Sequence, residues 1–417
     1  MTGATTRFDV GVVGAGPAGS WAARCLAAGG ARVALFDGSH PREKPCGGGL
    51  TGRALALLDG AVDPGALPAV PVPAAAFEHP DTTAARVVLT DRGLSARSSL
   101  LVVDRRSFDA AVLDAAVRAG VTHVDARVLD IESRRAGFLV RAGTAAFVVD
   151  HLVGADGANS LVRRRLAAPF TRAQLSIATG CYAHGVAARD ILIGFVARPA
   201  GYVWSFPRQD HLAIGICAPA GESSTGLLRE ALRAWLEADA AADPAAGDAA
   251  SPESPHLHRH LARRARRTWY AWPIPSLRAG DWQRPVLAGP GWLLAGDAAG
   301  LVDPITREGI YFALQSGAFA AEAILHPDPA RGTAGGYAAR VSDAILPELV
   351  RAARLQHGFF RGTFTRLLVD ALRASAPVRA VMADLVAGRQ PYATLRRRLI
   401  GTFEFRLAWQ LLRLRWQ

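Results

Sequence analysis

The chain has 417 residues, half of them hydrophobic, which is ample for a large core and two domains. Its 48 Lys and Arg against 36 Asp and Glu give a net charge of +12, but Lys44 is the sole lysine and the arginines are spread along the sequence. An arginine-biased composition therefore explains the excess better than a nucleic-acid-binding surface, and an anionic substrate or membrane is the better-fitting partner.

The stretch Phe8 to Asp37 organises the rest of the chain. Val10 to Val13 reads as a buried parallel strand, and Gly14, Gly16 and Gly19 supply a G-x-G-x-x-G spacing. A helix of small residues and a second strand, Val33 to Phe36, then lead to Asp37. In such a unit the first glycine permits a tight turn, the second a close approach to a pyrophosphate, and the third close helix–strand packing. The helix N-terminus offers free N–H groups to phosphates, and the acid ending the second strand can bind a ribose diol. A dinucleotide site is expected here. Nothing resembling a leader peptide precedes Phe8. The four scattered cysteines fit neither disulfide nor zinc spacing, which suits a reducing cytoplasm. No run of about 18 apolar residues is free of Gly or charge.

Gly47 to Gly49, beside Pro45 and Cys46, form a loop that is either a flexible connector or a backbone surface for a flat ligand. Residues 61–83 read as irregular surface, and Arg86 to Thr90 as a strand of a second domain. A helix follows Arg105, which is either an exposed ion-pair residue or a phosphate contact. Val121 to Ile131, Phe138 to Val149 and His151 to Val153 read as strands, the last delivering Asp156 to a strand's carboxyl end, where ligands bind. Ser176 to Pro219 reads as antiparallel sheet, with GYVWSFP and HLAIGIC as a hairpin about Arg208-Gln209-Asp210. Tyr202, Trp204 and Phe206 share one face of it, as sheet core or as ligand wall. A helix over 226–239 and a low-complexity loop come next. His256, His258 and His260 alternate without gathering on one helical face, so no metal site is expected. Trp292 to Ala295 reads as a strand that ends at Gly296 and Asp297, and Gly309-Ile310 opens a long helix.

At the C-terminus, Leu399, Phe403, Leu407, Leu411 and Leu414 recur at helical spacing among six arginines and the single acid Glu404. That pattern fits a helix lying in the interface of an anionic membrane, or one capping the second domain.

Gly14–Gly19, Gly154–Gly157 and Gly296–Asp297 together resemble flavoproteins of the para-hydroxybenzoate hydroxylase-type fold. More closely, KPCGGGL, GYVWSFP, GDAAGLVDPITREGIYFAL and GRQPYATLRRRLI resemble the geranylgeranyl reductase family. The resemblance implies an α/β fold in which a Rossmann-type FAD domain (1–75, 98–175 and 280–345) interleaves with an antiparallel-sheet substrate domain (76–97 and 176–279), followed by C-terminal helices (346–417). It implies FAD held by Gly14, Gly16, Ala18 and Gly19 at the pyrophosphate, and by Asp37 at the adenosine ribose. Arg105 would reach toward the phosphates, and Gly296 and Asp297 toward the pyrophosphate and ribityl chain. Cys46, Gly47, Gly48 and Pro304 to Ile310, including Glu308 and Gly309, would flank the isoalloxazine. Asp156 would lie near the flavin and the route of a nicotinamide. Tyr202, Trp204 and Phe206 would line the substrate cavity, with Tyr202, Trp204 and Cys46 as catalytic candidates. Arg307 departs from the family pattern, which commonly has glycine there. The implied activity is reduction of isolated C=C bonds in a polyprenyl chain, with NADPH as transient reductant. A flavin-dependent monooxygenase on the same scaffold is the competing reading. A flavin halogenase needs a lysine between flavin and substrate, and the sole lysine belongs to the flavin loop.

Overall fold

The computed structural model describes residues 6–58, 60–89, 100–238 and 256–402. The strands in chain order are β1 (Thr6–Val13), β2 (Val33–Phe36), β3 (Gly49–Leu50), β4 (Ala69–Pro71), β5 (Ala74–His79), β6 (Thr82–Val88), β7 (Leu101–Val103), β8 (Thr122–Val124) and β9 (Val128–Ser133). They continue as β10 (Phe138–Ala142), β11 (Ala145–Gly154), β12 (Leu175–His184), β13 (Ile191–Val196), β14 (Gly201–Pro207), β15 (His211–Pro219), β16 (Arg266–Pro275), β17 (Ala288–Gly289) and β18 (Trp292–Leu294). The helices are α1 (Pro17–Ala28), α2 (Gly52–Leu57), α3 (Arg105–Arg118), α4 (Leu161–Leu166), α5 (Thr225–Glu237), α6 (His256–Arg264) and α7 (Ile310–Leu325). Five more close the chain: α8 (Gly332–Ala344), α9 (Leu346–Phe359), α10 (Gly362–Ala374), α11 (Ala376–Val386) and α12 (Tyr392–Ile400).

The fold is mixed α/β, with a Rossmann-like parallel sheet. Strands β18, β11, β1, β2 and β8 run parallel in that order, with β17 on one edge and the β9–β10 meander attached to β11. Val13 pairs with both Phe36 and Gly154, so the carboxyl ends of three strands finish side by side. Ligands bind at such an edge because backbone N–H groups and helix N-termini converge there. Close packing sets the edge. A Cβ on Gly317 of α7 would stand 2.5 Å from Ala18 O of α1, so glycine is what lets the two helices touch.

The second sheet has the order β16-β12-β15-β14-β13-β5-β6 and is antiparallel apart from the β13–β5 pair. Leu228, Leu232 and Leu236 of α5 pack on one face with Val203, Ile214 and Ile216. The opposite face, with Phe195, Tyr202 and Trp204, shares a core with Phe364, Val369, Val378 and Met382 of the C-terminal helices. A small third sheet has the order β3-β7-β4.

Several sequence expectations need correction. Residues 61–83 are not irregular surface: they contain β4 and β5, and all six residues of β5 are buried. Alanine-rich sequence carries little strand propensity, but Ala74 to Ala76 are buried in β5. Val121 to Ile131 divides into β8, which pairs with β2, and β9, which turns to meet β10. Phe138 to Val149 is a hairpin, folded where Gly143 adopts φ 55°, and β11 runs unbroken through His151 to Val153. The helix expected over 226–239 is α5. The GYVWSFP–HLAIGIC hairpin forms as expected, with Arg208 N donating to His211 O across its turn.

Leu395 and Leu399 of α12 are buried while Ile400 is 40% exposed, so the start of the C-terminal apolar stripe packs inward. The remainder of that stripe, Phe403, Leu407, Leu411 and Leu414 with Arg406, Arg413 and Arg415, lies outside the described residues. Among the described residues, no helix is long and apolar enough to cross a membrane.

Candidate active site

A cavity of about 1090 Å³ runs from the end of the parallel sheet, under the second sheet, to the C-terminal helices. That is at or above the upper end of the roughly 300–1,000 Å³ usual for ligand pockets. Its two halves are built differently.

Glycines and a helix end make the first half. Gly14 adopts φ 99°, and a Cβ there would stand 2.6 Å from Ala155 O. A Cβ on Gly19 would stand only 1.8 Å from Gly14 O. The turn thus closes only with glycine at both positions, and Gly19 serves by packing, since it does not line the cavity. Among the described residues no side chain caps the N-terminus of α1, and Gly14, Gly16 and Ala18 line the cavity. Uncapped N–H groups at the positive end of a helix dipole are what a pyrophosphate requires. The residues present fit a dinucleotide.

Charged groups around this turn hold one another. Asp37 Oδ2 accepts from Ala15 N (2.9 Å) and meets His40 Nδ1 (2.7 Å), while Oδ1 accepts from Ser39 N and Oγ (2.7 Å each). Burial opposes ionisation of Asp37, but His40, Ala15 and Ser39 outweigh it and hold the carboxyl far below its usual range. Arg105, expected to reach toward phosphates, is buried and donates through Nε and Nη2 to Asp109 (2.9 and 2.8 Å). It borders the cavity with its fork already spent on a carboxylate. Lys44 Nζ donates to Asp297 Oδ2 at 2.8 Å, tying two cavity segments 253 residues apart. Asp156 Oδ2 caps α4 by accepting from Leu161 N, while Oδ1 is buried without a partner among the described residues. Burial pushes that carboxyl up. Gly296 stands behind the cavity, with N donating to Ser316 Oγ (2.9 Å).

The flavin-loop candidates divide in the same way. A Cβ on Gly47 would meet the Phe206 ring at 2.8 Å, and one on Gly48, at φ 78°, would meet Val103 O at 2.2 Å. The glycine run is therefore required by packing against Phe206 and β7. Cys46 lines the cavity; its Sγ accepts from Gly48 N (3.3 Å) and its O from Arg208 Nη2 (3.0 Å). Of Pro304 to Ile310, all but Pro304 line the cavity. The Glu308 carboxylate accepts from Thr51 Oγ1 (2.7 Å) and pairs with Arg53. Arg307 adopts φ 60° and donates through Nη1 to Ser276 Oγ (2.7 Å). The loop keeps a left-handed residue where glycine would be easiest, at a cost of about 1–2 kcal/mol.

Side chains make the second half. Tyr202, Trp204 and Phe206 of β14 line it with Phe77, Phe195 and Ile274 from three other strands. The C-terminal helices add Phe359, Met382, Leu385 and Val386, with Phe360 just beyond α9. Tyr202 stacks on Phe360 with centroids 5.9 Å apart, and its hydroxyl donates to Thr306 O at 3.4 Å. Burial pushes the Tyr202 phenol well above its usual range. The lining residues outside β14 do not stand out in the sequence, because isolated aromatics carry no spacing signal. His258 is buried behind β14 against Ser205 Oγ (2.7 Å), and burial lowers its imidazole to about 4.

A family profile described as FAD binding domain matches residues 7–335. Among curated proteins, the digeranylgeranylglycerophospholipid reductase of Methanothrix thermoacetophila is 29% identical over 375 residues, covering 85% of this chain and 88% of that one. The menaquinone reductase of Mycolicibacterium smegmatis is 29% identical over 365 residues, covering 76% of each. Among solved structures, a geranylgeranyl bacteriochlorophyll reductase-like protein from Thermoplasma acidophilum superposes with a TM-score of 0.75 at 21% identity, covering 96% of this chain and 100% of that one. The flavin-dependent brominase Bmp2 gives 0.70 at 22% identity, covering 96% and 100%. At such identities the structural likeness speaks for the fold alone. With the FAD-binding profile spanning most of the sequence, the chain belongs to the FAD binding domain family of FAD-dependent oxidoreductases, and its named relatives include geranylgeranyl reductases.

Proposed function

We propose that this chain is an FAD-dependent reductase of isolated C=C bonds in a polyprenyl chain, drawing electrons from NADPH or another transient donor. The observation that carries the reading is the second half of the cavity, an aromatic and aliphatic channel continuous with the glycine-built half. Such a channel offers a long hydrocarbon burial worth about 0.8 kcal/mol per CH₂.

When bound, FAD supplies the two-electron reduction. The protein's share is to hold the alkene, exclude water and provide a proton at the second carbon. Trp204, Phe206 and Phe360 present apolar surface that keeps the site dry. Tyr202 stays protonated because burial disfavours its phenolate, so its hydroxyl can hold a proton beside the channel, oriented by Thr306 O. Cys46, at the junction of the two halves, is the other candidate. Asp297, Asp156, Glu308, Gly309 and Ile310 would hold the cofactor with the Gly14 turn.

The proposed division of labour gives 1–75, 98–175 and 280–345 to FAD, and 76–97 and 176–279 to the substrate. It is supported by the strands that each large sheet draws on. The C-terminal region adds Phe359, Met382 and Leu385 to the substrate wall. Its arginines also motivate peripheral contact with anionic membranes, which salt-sensitive flotation on anionic vesicles would test.

The deciding experiment is anaerobic: reduce the bound flavin, mix with prenyl diphosphates and prenylated lipids or quinones, and follow flavin absorbance. Reoxidation coupled to loss of a double bond is the expected result. Reoxidation only with oxygen, with hydroxylated product, would assign the monooxygenase reaction instead.

A further inference from the structure

A histidine faces the glycine turn. His40 follows β2 by four residues and lines the cavity. Its Nδ1 lies 2.7 Å from Asp37 Oδ2 and its Nε2 3.5 Å from Asp109 Oδ2. Its side chain is 9% exposed. A Cβ built on Gly16 would stand 3.8 Å from His40 Nε2, so the ring borders the turn where the pyrophosphate fits. A neutral imidazole has one N–H and one lone pair. With a carboxylate at each nitrogen, the neutral ring would turn its lone pair toward one of them, whereas the imidazolium donates to both.

We propose that His40 is a cofactor-positioning residue: an imidazolium held between Asp37 and Asp109 that, together with Arg105, cancels their charge beside the pyrophosphate and makes FAD affinity depend on pH. The inference rests on the FAD reading of the cavity. Asp37 and Asp109 carry two negative charges at the phosphate end, and Arg105 neutralises Asp109 alone. With His40 protonated, the four groups sum to zero. Without that proton they present one net negative charge to an anionic ligand in a partly buried site, where such charges are weakly screened.

The elements packed around His40 contribute few other charges. Arg42 and Glu43 follow it on the same loop, and Glu43 accepts from Arg105 N and Arg106 N. From α3 come Arg105 and Asp109; from β8, His123 Nε2 meets Asp37 O at 3.1 Å. Arg127 borders the cavity from just before β9, and Cys46 stands beside Arg105. Burial opposes the charge on His40, but Asp109 and Asp37 outweigh it and raise the imidazole above its ordinary 6.5. The proton is therefore fully in place below the ordinary value and is lost as pH rises through the raised one. Affinity is therefore highest on the acid side and falls as pH rises through that raised value.

The test is reconstitution of flavin-stripped protein with FAD at pH 6 to 9, reading the dissociation constant from flavin fluorescence. We expect binding to weaken by at least about tenfold across that range. His40→Asn keeps a neutral donor for Asp37 and should bind more weakly at pH 6 with a nearly flat profile. That difference separates His40 from His123 and Cys46, which the variant retains. A pH-independent wild-type constant would overturn the proposal without using any variant. So would an unchanged slope in His40→Asn, with its fold verified by circular dichroism. Failure to bind FAD at any pH would overturn both this inference and the FAD reading beneath it.

Discussion

On the proposed function, the two halves of the cavity would recognise their ligands by different physics. In the cofactor half the backbone does the work, at a turn that Gly14 and Gly19 alone permit and at an uncapped helix end. Its charged side chains are fixed by partners from distant segments, as Lys44 is by Asp297, or from the next helical turn, as Arg105 is by Asp109. In the substrate half the backbone is consumed by sheet pairing, and the wall is side-chain volume from β5, β13, β14, β16, α9 and α11. A polar ligand with fixed geometry demands particular residues at particular spacings. A hydrocarbon asks only for a dry channel of the right width. Damage to the first half should therefore be all-or-none, and damage to the second graded and specific to substrate.

The largest expected effect is at Gly19. Gly19→Val drives side-chain atoms into the Gly14 carbonyl, and since the obstacle is backbone, the loss should exceed the about 1–3 kcal/mol usual for overpacking. Little folded, yellow protein should be recovered, as flavin content and thermal melting would report. Normal flavin occupancy would mean that the turn does not grip the cofactor.

Trp204→Ala probes the opposite half. Its ring covers Gly215, where a Cβ would stand 2.2 Å from the indole, and the substitution should cost about 3–5 kcal/mol. FAD affinity should stay nearly intact while turnover of prenyl substrates changes. Equal losses of flavin and turnover would erase the distinction between the halves.

A smaller effect is expected behind the substrate sheet. His258 titrates near 4 in the folded chain against 6.5 for the free side chain, so between those values the unfolded state binds a proton that the native state refuses. Stability should fall as pH drops from 6.5 toward 4, by up to about 3 kcal/mol. His258→Asn should flatten that slope in denaturant melts. A slope unchanged by the substitution would assign the acid sensitivity elsewhere.

Arg307→Gly should be the mildest. It relieves a left-handed residue worth about 1–2 kcal/mol and removes a hydrogen bond to Ser276 of about 1 kcal/mol. The net change in melting stability should be within about 1 kcal/mol. A shift in flavin absorbance at nearly unchanged stability would show that the guanidinium is felt at the ring.

What the sequence determined by itself rests on short-range spacing. The Gly14 to Asp37 unit, the β14–β15 hairpin with its aromatic face, and the opening of α7 at Gly309-Ile310 each lie within about thirty residues. Each arises from local rules: φ freedom of glycine, period-two alternation and helix termini. The tertiary structure decided whatever depends on who meets whom. No spacing reveals that Lys44 is tied to Asp297, or that His40 bridges Asp37 to Asp109. Nor does any reveal that Gly47 yields to Phe206, or that Phe359, Phe360 and Met382 complete a wall begun at Phe77. The physical reason is that electrostatic and packing energies depend on distance in space. Those distances exist only once β1, β11 and β18 have paired and the C-terminal helices have closed on the second sheet.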